Sequence, residues 1–216
     1  MQKNTFMTKI KCVIFDMDGV LIDARDWHYE ALNKALAIFG FEISRHDHLV
    51  TYDGLPTKKK LEILSSHSQL PRQLHGFIND LKQIFTMDIT MTKCTPTFCH
   101  EYAISKLKAD GFHLAVCSNS IRDTITSMLS KAALIHYFDF YLSNQDVSKS
   151  KPDPEIYLKA IERFGVLPSE CLILEDNING IRAATDSGAH VMQIDQVTDV
   201  NYVNIMKFIR KIEAAS

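Results

Sequence analysis

Five short apolar segments alternate with longer amphipathic segments along the chain, and this alternation restricts the possible fold more than any other feature. The apolar segments are 12–15 (CVIF), 113–117 (HLAVC), 138–142 (FDFYL), 171–174 (CLIL) and 190–194 (HVMQI). Each is bounded by polar or turn-forming residues, which is typical of parallel strands buried on both faces. The sequence therefore predicts an α/β fold with a doubly wound parallel, Rossmann-like sheet.

The segments between the predicted strands carry helix start and stop signals. Ser120 followed by Asp123 has the pattern of a capping box that opens a helix. Asp153 and Pro154 supply an N-cap and a proline at the first helical position, and Gly165 would end that helix. These signals favour helices packed between successive strands.

One region, from about residue 24 to residue 93, interrupts the alternation with helical patterns alone. Trp27, Leu32, Leu36 and Phe39 recur at roughly helical spacing, and two further helical patterns follow. We predict that 24–93 forms an inserted helical cap and that 1–23 and 94–216 form the core.

Two polar stretches of this predicted cap have a plain structural interpretation. The lysine run Lys58, Lys59 and Lys60 predicts a solvated helix face, with a basic lip toward an anionic substrate as the alternative. The stretch RHDH at 45–48 predicts a polar loop and not a metal site.

Composition excludes several classes of protein. The chain has 24 Lys and Arg against 26 Asp and Glu, a net charge of -2, and no basic stripe or long apolar run, so we expect neither a nucleic-acid partner nor a membrane partner. The N-terminal segment is polar and does not have the pattern of a signal peptide. Five cysteines, three of them in predicted strands, indicate buried thiols and a reducing, cytoplasmic location. We expect a monomer or a weak dimer.

One group of cysteine and histidine residues could suggest a metal site. Cys94, Cys99 and His100 lie close together in the sequence, but their spacing fits no common zinc motif. We predict that these residues bind no metal.

Polar and charged residues follow the predicted strands where a ligand site is expected, because open parallel sheets bind ligands at the carboxyl ends of their strands. These residues are Asp16, Asp18, Ser118, Asn119, Lys149, Lys151, Glu175 and Asp176. Four clustered carboxylates cannot all stay ionised without a cation, and Mg²⁺ is the oxygen-preferring ion that suits them. A metal ion opposite a lysine and a hydroxyl indicates a phosphate site.

The motifs DMDGV, SNS, KPDP and LEDNINGIRAATDSGA resemble the four signature motifs of the haloacid dehalogenase-like phosphohydrolases, in the same order. The resemblance extends from residue 13 to about residue 194. A helical segment directly after the first motif is similar to subfamily I, whose members carry a helical C1 cap. The β-phosphoglucomutase and phosphoglycolate phosphatase group is the most similar.

The resemblance implies a role for each motif residue of the core. Asp16 would be the nucleophile that forms an aspartyl-phosphate, and Asp18 would be the general acid and then the base, with a raised pKa. Ser118 and Asn119 would bind the phosphate. Lys151, which precedes PDP, would contact both phosphate and nucleophile, in preference to Lys149.

The resemblance also implies a Mg²⁺ site. Asp16 and Asp176 would bind the ion directly, Asp18 through its backbone carbonyl, and Glu175 directly or through water. Gly19 would allow a tight turn behind the two aspartates. Asn177 stands where many relatives have serine.

In the predicted cap, the same group implies substrate contacts. His28 would be a partner of Asp18 or of the substrate, while Gly54, Thr57 and Lys58, with Lys60, would contact the part of the substrate that is not phosphate. Thr57 stands where the related mutases have an arginine, and Lys58 could take the place of that arginine.

These inferences favour a Mg²⁺-dependent phosphatase that hydrolyses a small phosphorylated metabolite through an aspartyl-phosphate. A sugar phosphomutase of the β-phosphoglucomutase type is the alternative, and a non-catalytic interaction or sensor domain is the second alternative. The sequence leaves the phosphate ester, the choice between phosphatase and mutase, and the oligomeric state open.

Overall fold

The computed structural model describes residues 9–215. Residues 1–8 and 216 lie outside this range. The prediction of a polar N-terminal segment therefore falls outside the described residues, as do the outer ends of the predicted core.

Within residues 9–215 the chain forms one parallel sheet of five strands in the order β3-β2-β1-β4-β5. The strands are β1 (Cys12–Phe15), β2 (His113–Cys117), β3 (Phe140–Leu142), β4 (Cys171–Glu175) and β5 (His190–Gln193). All five predicted strands are confirmed. The third begins at Phe140, later than predicted, because the Asp139 carboxylate and not a strand carbonyl accepts the hydrogen bond from the Leu114 backbone N–H, at 2.8 Å.

Nine α-helices accompany these strands in the described part of the chain. They are α1 (Arg25–Ala37), α2 (Arg45–Asp47), α3 (Thr57–His67), α4 (His75–Lys93), α5 (Phe98–Ala109), α6 (Arg122–Lys131), α7 (Glu155–Phe164), α8 (Ile178–Asp186) and α9 (Tyr202–Ala215). The sheet and these helices form the α/β architecture that the sequence predicts.

The central strand β1 is buried on both faces, because successive side chains of a strand point to opposite sides. Val13 and Phe15 belong to a hydrophobic cluster that includes side chains of α5, α6 and α9. Cys12 and Ile14 belong to a second cluster, which includes side chains of α7 and α8. Helices therefore cover both faces of the sheet, which is the doubly wound arrangement.

Helices α1 to α4 lie between β1 and α5 in the chain and have a hydrophobic cluster of their own. Leu36 of α1, Leu61 of α3 and Ile78 of α4 are buried in it. The prediction of helices and no strand in this region is confirmed. The proposed limits of the cap, 24–93, stay a prediction.

The expectation of a polar loop at 45–48 is wrong. Residues Arg45–Asp47 form the short helix α2, whose N-cap is Ser44, and a π-helical turn, His48–Tyr52, continues from it. His48 is 2 % exposed, because its ring packs against Tyr29 with 4.8 Å between ring centroids.

The capping box at Ser120 is also wrong, since α6 begins at Arg122 and Ile121 occupies the N-cap position. The Ser120 hydroxyl instead donates a hydrogen bond to Asp18. The N-cap predicted at Asp153 is likewise displaced, since α7 begins at Glu155 and Pro154 occupies the N-cap position, although the Asp153 carboxylate accepts a hydrogen bond from the Glu155 backbone N–H at 3.1 Å. Gly165 ends this helix, as predicted.

Cys12, Cys117 and Cys171 lie buried in β1, β2 and β4, as the apolar character of their segments predicts. His100 donates a hydrogen bond from Nε2 to the Val197 carbonyl, and among residues 9–215 it forms no metal-ligand group with the nearby cysteines. Among the helices of residues 9–215, none combines the length and apolar character that a membrane crossing requires.

Candidate active site

The candidate site lies at the carboxyl end of β1, where the strand order of the sheet reverses. Phe15 is in register with Val116 of β2 and Leu174 of β4, so the residues that follow in each strand lie at the same level. Asp16 and Glu175 thereby become neighbours at the edge where ligands bind in open α/β sheets. They line a cavity of about 470 Å³, within the range of small-molecule sites.

Alternation along the chain explains why two acids flank one methionine after β1. Met17 is 0 % exposed in the hydrophobic cluster, while Asp16 and Asp18 line the cavity. Gly19 has φ +91°, and a Cβ atom there would lie 2.0 Å from Asp176 Oδ2. The turn behind the two aspartates therefore requires glycine both for its backbone conformation and for space.

Lys151 joins the first and fourth strand ends through its buried ammonium group. Its Nζ donates hydrogen bonds to Asp16 Oδ1 at 2.6 Å, to Glu175 Oε1 at 2.6 Å and to the Cys117 carbonyl at 2.8 Å. Burial acts to lower the pKa of Lys151, but the two carboxylates outweigh it and raise the pKa above its ordinary value. Lys149 is exposed and pairs with Asp153 instead, so the structure brings Lys151 to the site and leaves Lys149 outside it.

Three carboxylates form a group that could hold a metal ion. Oxygen atoms of Asp16, Glu175 and Asp176 all lie within 4.8 Å of one another. Asp176 Oδ1 is buried and has no hydrogen-bond partner among residues 9–215, which leaves a lone pair available for a cation. Because the donors are carboxylate oxygens, the group fits a hard divalent ion such as Mg²⁺.

The pKa values of this acidic group reflect its crowding. Burial raises the pKa of Asp176 to about 7, the charge of Glu175 adds to the effect, and the Arg25 guanidinium acts against it. Burial also raises the pKa of Asp16, with further contributions from Glu175 and Asp176 and an opposing one from Lys151. A divalent ion would favour the charged form of each carboxyl.

The Asp18 carboxylate turns away from this group toward the predicted cap. Its Oδ1 lies 3.0 Å from His28 Nε2, and its Oδ2 accepts a hydrogen bond from the Ser120 hydroxyl at 2.9 Å. Burial acts to raise the pKa of Asp18, but His28, Ser120 and the charge of Lys82 outweigh it and lower the pKa. The prediction of a raised pKa at Asp18 is therefore wrong, because these partners favour the charged form.

His28 is held in one tautomer by a residue that sequence reasoning missed. Lys82 of α4 donates from Nζ to His28 Nδ1 at 3.1 Å, so the ring proton resides on Nε2, which donates to Asp18. Burial and the charge of Lys82 lower the pKa of His28, which keeps the ring neutral. Of the two partners proposed for His28, the structure places Asp18 in contact with it.

Three other residues at the site were also missed. Arg25 lies 3.0 Å from Asp176 Oδ2, and the Tyr157 hydroxyl donates to Glu175 Oε1 at 2.5 Å. A Cβ atom at Gly180 would lie 1.9 Å from the same Glu175 oxygen. The glycine in the fourth motif was an available signal for close approach, whereas Tyr157 occupies an ordinary buried position of α7.

Ser118 and Asn119 lie at the end of β2, as predicted. Ser118 is 1 % exposed, and its Oγ accepts a hydrogen bond from the Ser120 backbone N–H at 3.0 Å. Asn119 accepts a hydrogen bond from the Lys151 backbone N–H at 3.1 Å and donates from Nδ2 to the Gly54 carbonyl at 3.3 Å. Asn119 therefore contacts both the lysine loop and the helical region after β1.

Gly54 also approaches Asn177, which follows β4. Its φ is +70°, and a Cβ atom there would lie 2.3 Å from Asn177 Oδ1. Asn177 Nδ2 donates to Asp53 Oδ2 at 2.9 Å, while its Oδ1 caps α8 by accepting from the Asn179 backbone N–H at 3.0 Å. Asn177 therefore bridges the fourth motif and the segment that contains Gly54.

The lysine run is only partly solvated. Thr57 and the exposed Lys58 line the cavity, and Lys59 is exposed outside it. Lys60 is 7 % exposed and also lines the cavity. The prediction of a solvated face is wrong for Lys60, because α3 packs with this side directed toward the site.

Comparison with known proteins gives a consistent result. The family model of the haloacid dehalogenase-like hydrolases matches residues 13–194. A phosphorylated carbohydrates phosphatase from Thermotoga maritima is 29% identical over 183 residues, which cover 83% of this chain and 82% of the relative. A phosphoglycolate phosphatase from Nitrosospira multiformis is 29% identical over 194 residues, covering 86% and 83%.

Among solved structures, the crystal structure of β-phosphoglucomutase from Clostridium difficile superposes with a TM-score of 0.80 at 20% identity. It covers 94% of this chain and 98% of that one. At this identity the likeness shows a common fold and no more.

Proposed function

The chain belongs to the haloacid dehalogenase-like hydrolases and is a phosphoric monoester hydrolase, and on this basis we propose that it removes phosphate from a small phosphorylated metabolite through an aspartyl-phosphate at Asp16. One observation carries the proposal. Lys151 lies between Asp16 and Glu175 at 2.6 Å from each, in a cavity that Ser118 also lines. A lysine in this position offsets the repulsion between a carboxylate nucleophile and a phosphate dianion.

Asp16 acts as the nucleophile in this proposal. Its Oδ1 is held by Lys151, which leaves Oδ2 to attack phosphorus, so that a P–O bond to Asp16 forms as the bond to the leaving oxygen breaks. The Ser118 hydroxyl and the Asn119 amide bind the phosphoryl oxygens from the end of β2. A second displacement by water then releases inorganic phosphate and restores the carboxylate.

Asp18 transfers the protons of both steps. The phosphate dianion of the substrate raises the pKa of Asp18, since a nearby like charge favours the protonated form, and the acid then protonates the leaving oxygen. In the second step Asp18 takes a proton from the attacking water. His28 and Ser120 hold its carboxylate in one orientation and favour its charged form for this step.

Asp16, Glu175 and Asp176 would hold a Mg²⁺ ion, together with the Asp18 backbone carbonyl. When bound, the ion would offset negative charge between the nucleophile and the phosphoryl group. Tyr157 and Lys151 both donate to Glu175 and so fix its orientation.

The helical region, residues 24–93 in our proposal, forms the cap of the cavity. Gly54 contacts Asn119 and Asn177 of the core, and His28 contacts Asp18, so this region covers the reacting groups. A cover of this kind excludes bulk water from an acyl-phosphate intermediate. Thr57 and Lys58 line the part of the cavity that remains for the rest of the substrate.

Phosphate release from a panel of phosphorylated metabolites, measured with Mg²⁺, tests the proposal. Asp16→Asn should lower the rate at least about 10³-fold, because the amide is a poor nucleophile. Asp186→Asn, an exposed change on α8, is the matched control and should leave the rate unchanged. Equal rates for Asp16→Asn and the parent protein would refute the mechanism.

The same reactions distinguish the phosphomutase alternative. Hexose phosphates incubated with a bisphosphate primer should yield inorganic phosphate from a phosphatase and an isomeric hexose phosphate from a mutase. Thr57, which replaces the arginine of the related mutases, favours the phosphatase.

A further inference from the structure

The wall of the cavity that faces the catalytic residues carries three buried basic side chains. Lys60 and Lys82 are each 7 % exposed, and His48 is 2 % exposed. All three line the cavity that contains Asp16. They come from α3, α4 and the π-helical turn, so three separate elements place basic groups on one wall.

These basic groups have few partners of their own. Lys82 donates only to His28 among the described residues. Lys60 has neither a hydrogen bond nor an ion pair from its side chain within residues 9–215. His48 Nδ1 is buried and has no hydrogen-bond partner there. The Lys60 side chain is largely buried, which disfavours its charge, and it brings to the cavity an ammonium group that has no protein partner among the described residues.

The acids of the site do not satisfy Lys60. Asp16 and Glu175 bind Lys151, Asp176 pairs with Arg25, and Asp18 binds His28 and Ser120. His48 Nε2 lies 3.8 Å from Asp53, which in turn accepts a hydrogen bond from Asn177. Burial lowers the pKa of His48 to about 4, so its ring is neutral near pH 7. The charge of Lys60 is therefore available to a ligand.

Lys60 also remains charged near neutral pH. Burial lowers its pKa to about 8, while the charges of Asp53 and Asp18 act in the opposite direction. A group with this pKa is mostly protonated at pH 7.

We propose that Lys60 binds a second anionic group, a carboxylate or a phosphate, at the end of the substrate opposite the transferred phosphoryl group. This inference rests on the proposed function and adds the class of substrate, which is a phosphate ester that carries another anion. The transferred group already has its donors on the other wall, from Lys151, Ser118 and Asn119. Lys60 would then distinguish substrates by their distal end, since a buried charge left unpaired penalises a neutral analogue.

Two matched pairs of phosphate esters test the proposal. 3-Phosphoglycerate differs from glycerol 3-phosphate by a carboxylate in place of a hydroxymethyl group, and fructose 1,6-bisphosphate differs from fructose 1-phosphate by a distal phosphate. In at least one pair, the parent protein should favour the member that carries the second anionic group, with a kcat/KM about 10- to 100-fold higher, the range for a hydrogen bond to a charged group. The pair that shows the preference identifies the anion.

Lys60→Met should reduce this ratio to within about 3-fold of unity, because methionine fills similar space without charge. Lys59→Met, on the exposed side of the same helix, is the matched control and should keep the ratio of the parent. The melting temperature of Lys60→Met should equal or exceed that of the parent, since a lone buried charge is removed. A lysine with a purely structural role would instead lower it.

The results separate the two proposals. The role of Lys60 would be overturned if the parent protein preferred neither ester that carries a second anionic group, or if Lys60→Met left the ratio unchanged. If Lys60→Met lowered kcat/KM equally for both members of a pair, Lys60 would bind the transferred phosphoryl group, and this would also overturn its proposed role. If the Asp16→Asn variant still hydrolysed all four esters, the proposed function would be contradicted instead.

Discussion

Asp176 gives the sharpest test of the acidic group, because its pKa predicts how stability depends on pH. The folded protein raises this pKa from 3.8 to about 7, and burial is the largest cause. Between these two values the folded state binds more protons than the unfolded state, so the free energy of unfolding falls as pH rises. The destabilisation caused by ionised Asp176 is absent below about pH 4 and complete above about pH 7.

The size of the effect follows from the same shift. Three pKa units correspond to about 4 kcal/mol at most. The side chain is coupled to its neighbours and paired with Arg25, and we therefore expect about half of this, or about 2 kcal/mol, in metal-free protein at pH 8. For a chain of this size, this corresponds to a melting temperature higher by about 4–8 °C in Asp176→Asn than in the parent.

Thermal unfolding monitored by circular dichroism between pH 4 and pH 8, with and without Mg²⁺, measures the effect. Without metal, Asp176→Asn should be the more stable protein at pH 8, and the two should converge toward pH 4. Mg²⁺ should stabilise the parent increasingly with pH and should stabilise the variant much less. Asp186→Asn, on the surface of α8, should follow the parent throughout. If Asp176→Asn were less stable than the parent at pH 8 without metal, the reasoning would be wrong.

Two further predictions concern residues around these acids. Gly180→Ala should abolish stabilisation by Mg²⁺ and lower phosphatase activity by at least about 10²-fold, because the new Cβ would lie 1.9 Å from Glu175 Oε1. The control is Gly76→Ala, whose Cβ has no atom within 4 Å, and it should keep the stabilisation by Mg²⁺. An unchanged response in Gly180→Ala, measured by thermal unfolding, would contradict this placement of Glu175. His28→Asn should move the acidic limb of the kcat–pH profile to higher pH, because His28 lowers the pKa of Asp18. It should also reduce kcat by less than the ~10²-fold typical of losing a general acid or base. An acidic limb that stays in place would show that His28 does not act through Asp18.

The sheet and its site could be predicted largely from sequence, because both depend on local patterns. A strand buried on both faces is a continuous apolar run, and 12–15 and 171–174 are such runs. Parallel strands then bring Asp16 and Glu175 to one edge whatever the chain does between them. The gathering of the motif residues thus follows from topology and needs no knowledge of side-chain packing.

The basic wall could not be predicted in this way. Lysine is rarely buried, so the helical patterns around Lys60 and Lys82 predict solvent exposure for both. Their burial depends on how α3 and α4 pack over the sheet edge, and that is a long-range property. Ser120 shows the same limit, since its hydroxyl could cap a helix or bind Asp18, and only the tertiary structure decides.

Arg25 and His28 lie one turn apart on α1, and each holds a different acid of the site. A displacement of this single helix would break the Arg25–Asp176 ion pair and the His28–Asp18 hydrogen bond together, and both carboxylates would lose a partner. The position of α1 is therefore coupled thermodynamically to the binding of a cation by Asp176. Because such coupling acts in both directions, substitutions on the remote side of α1 should alter the affinity for that cation.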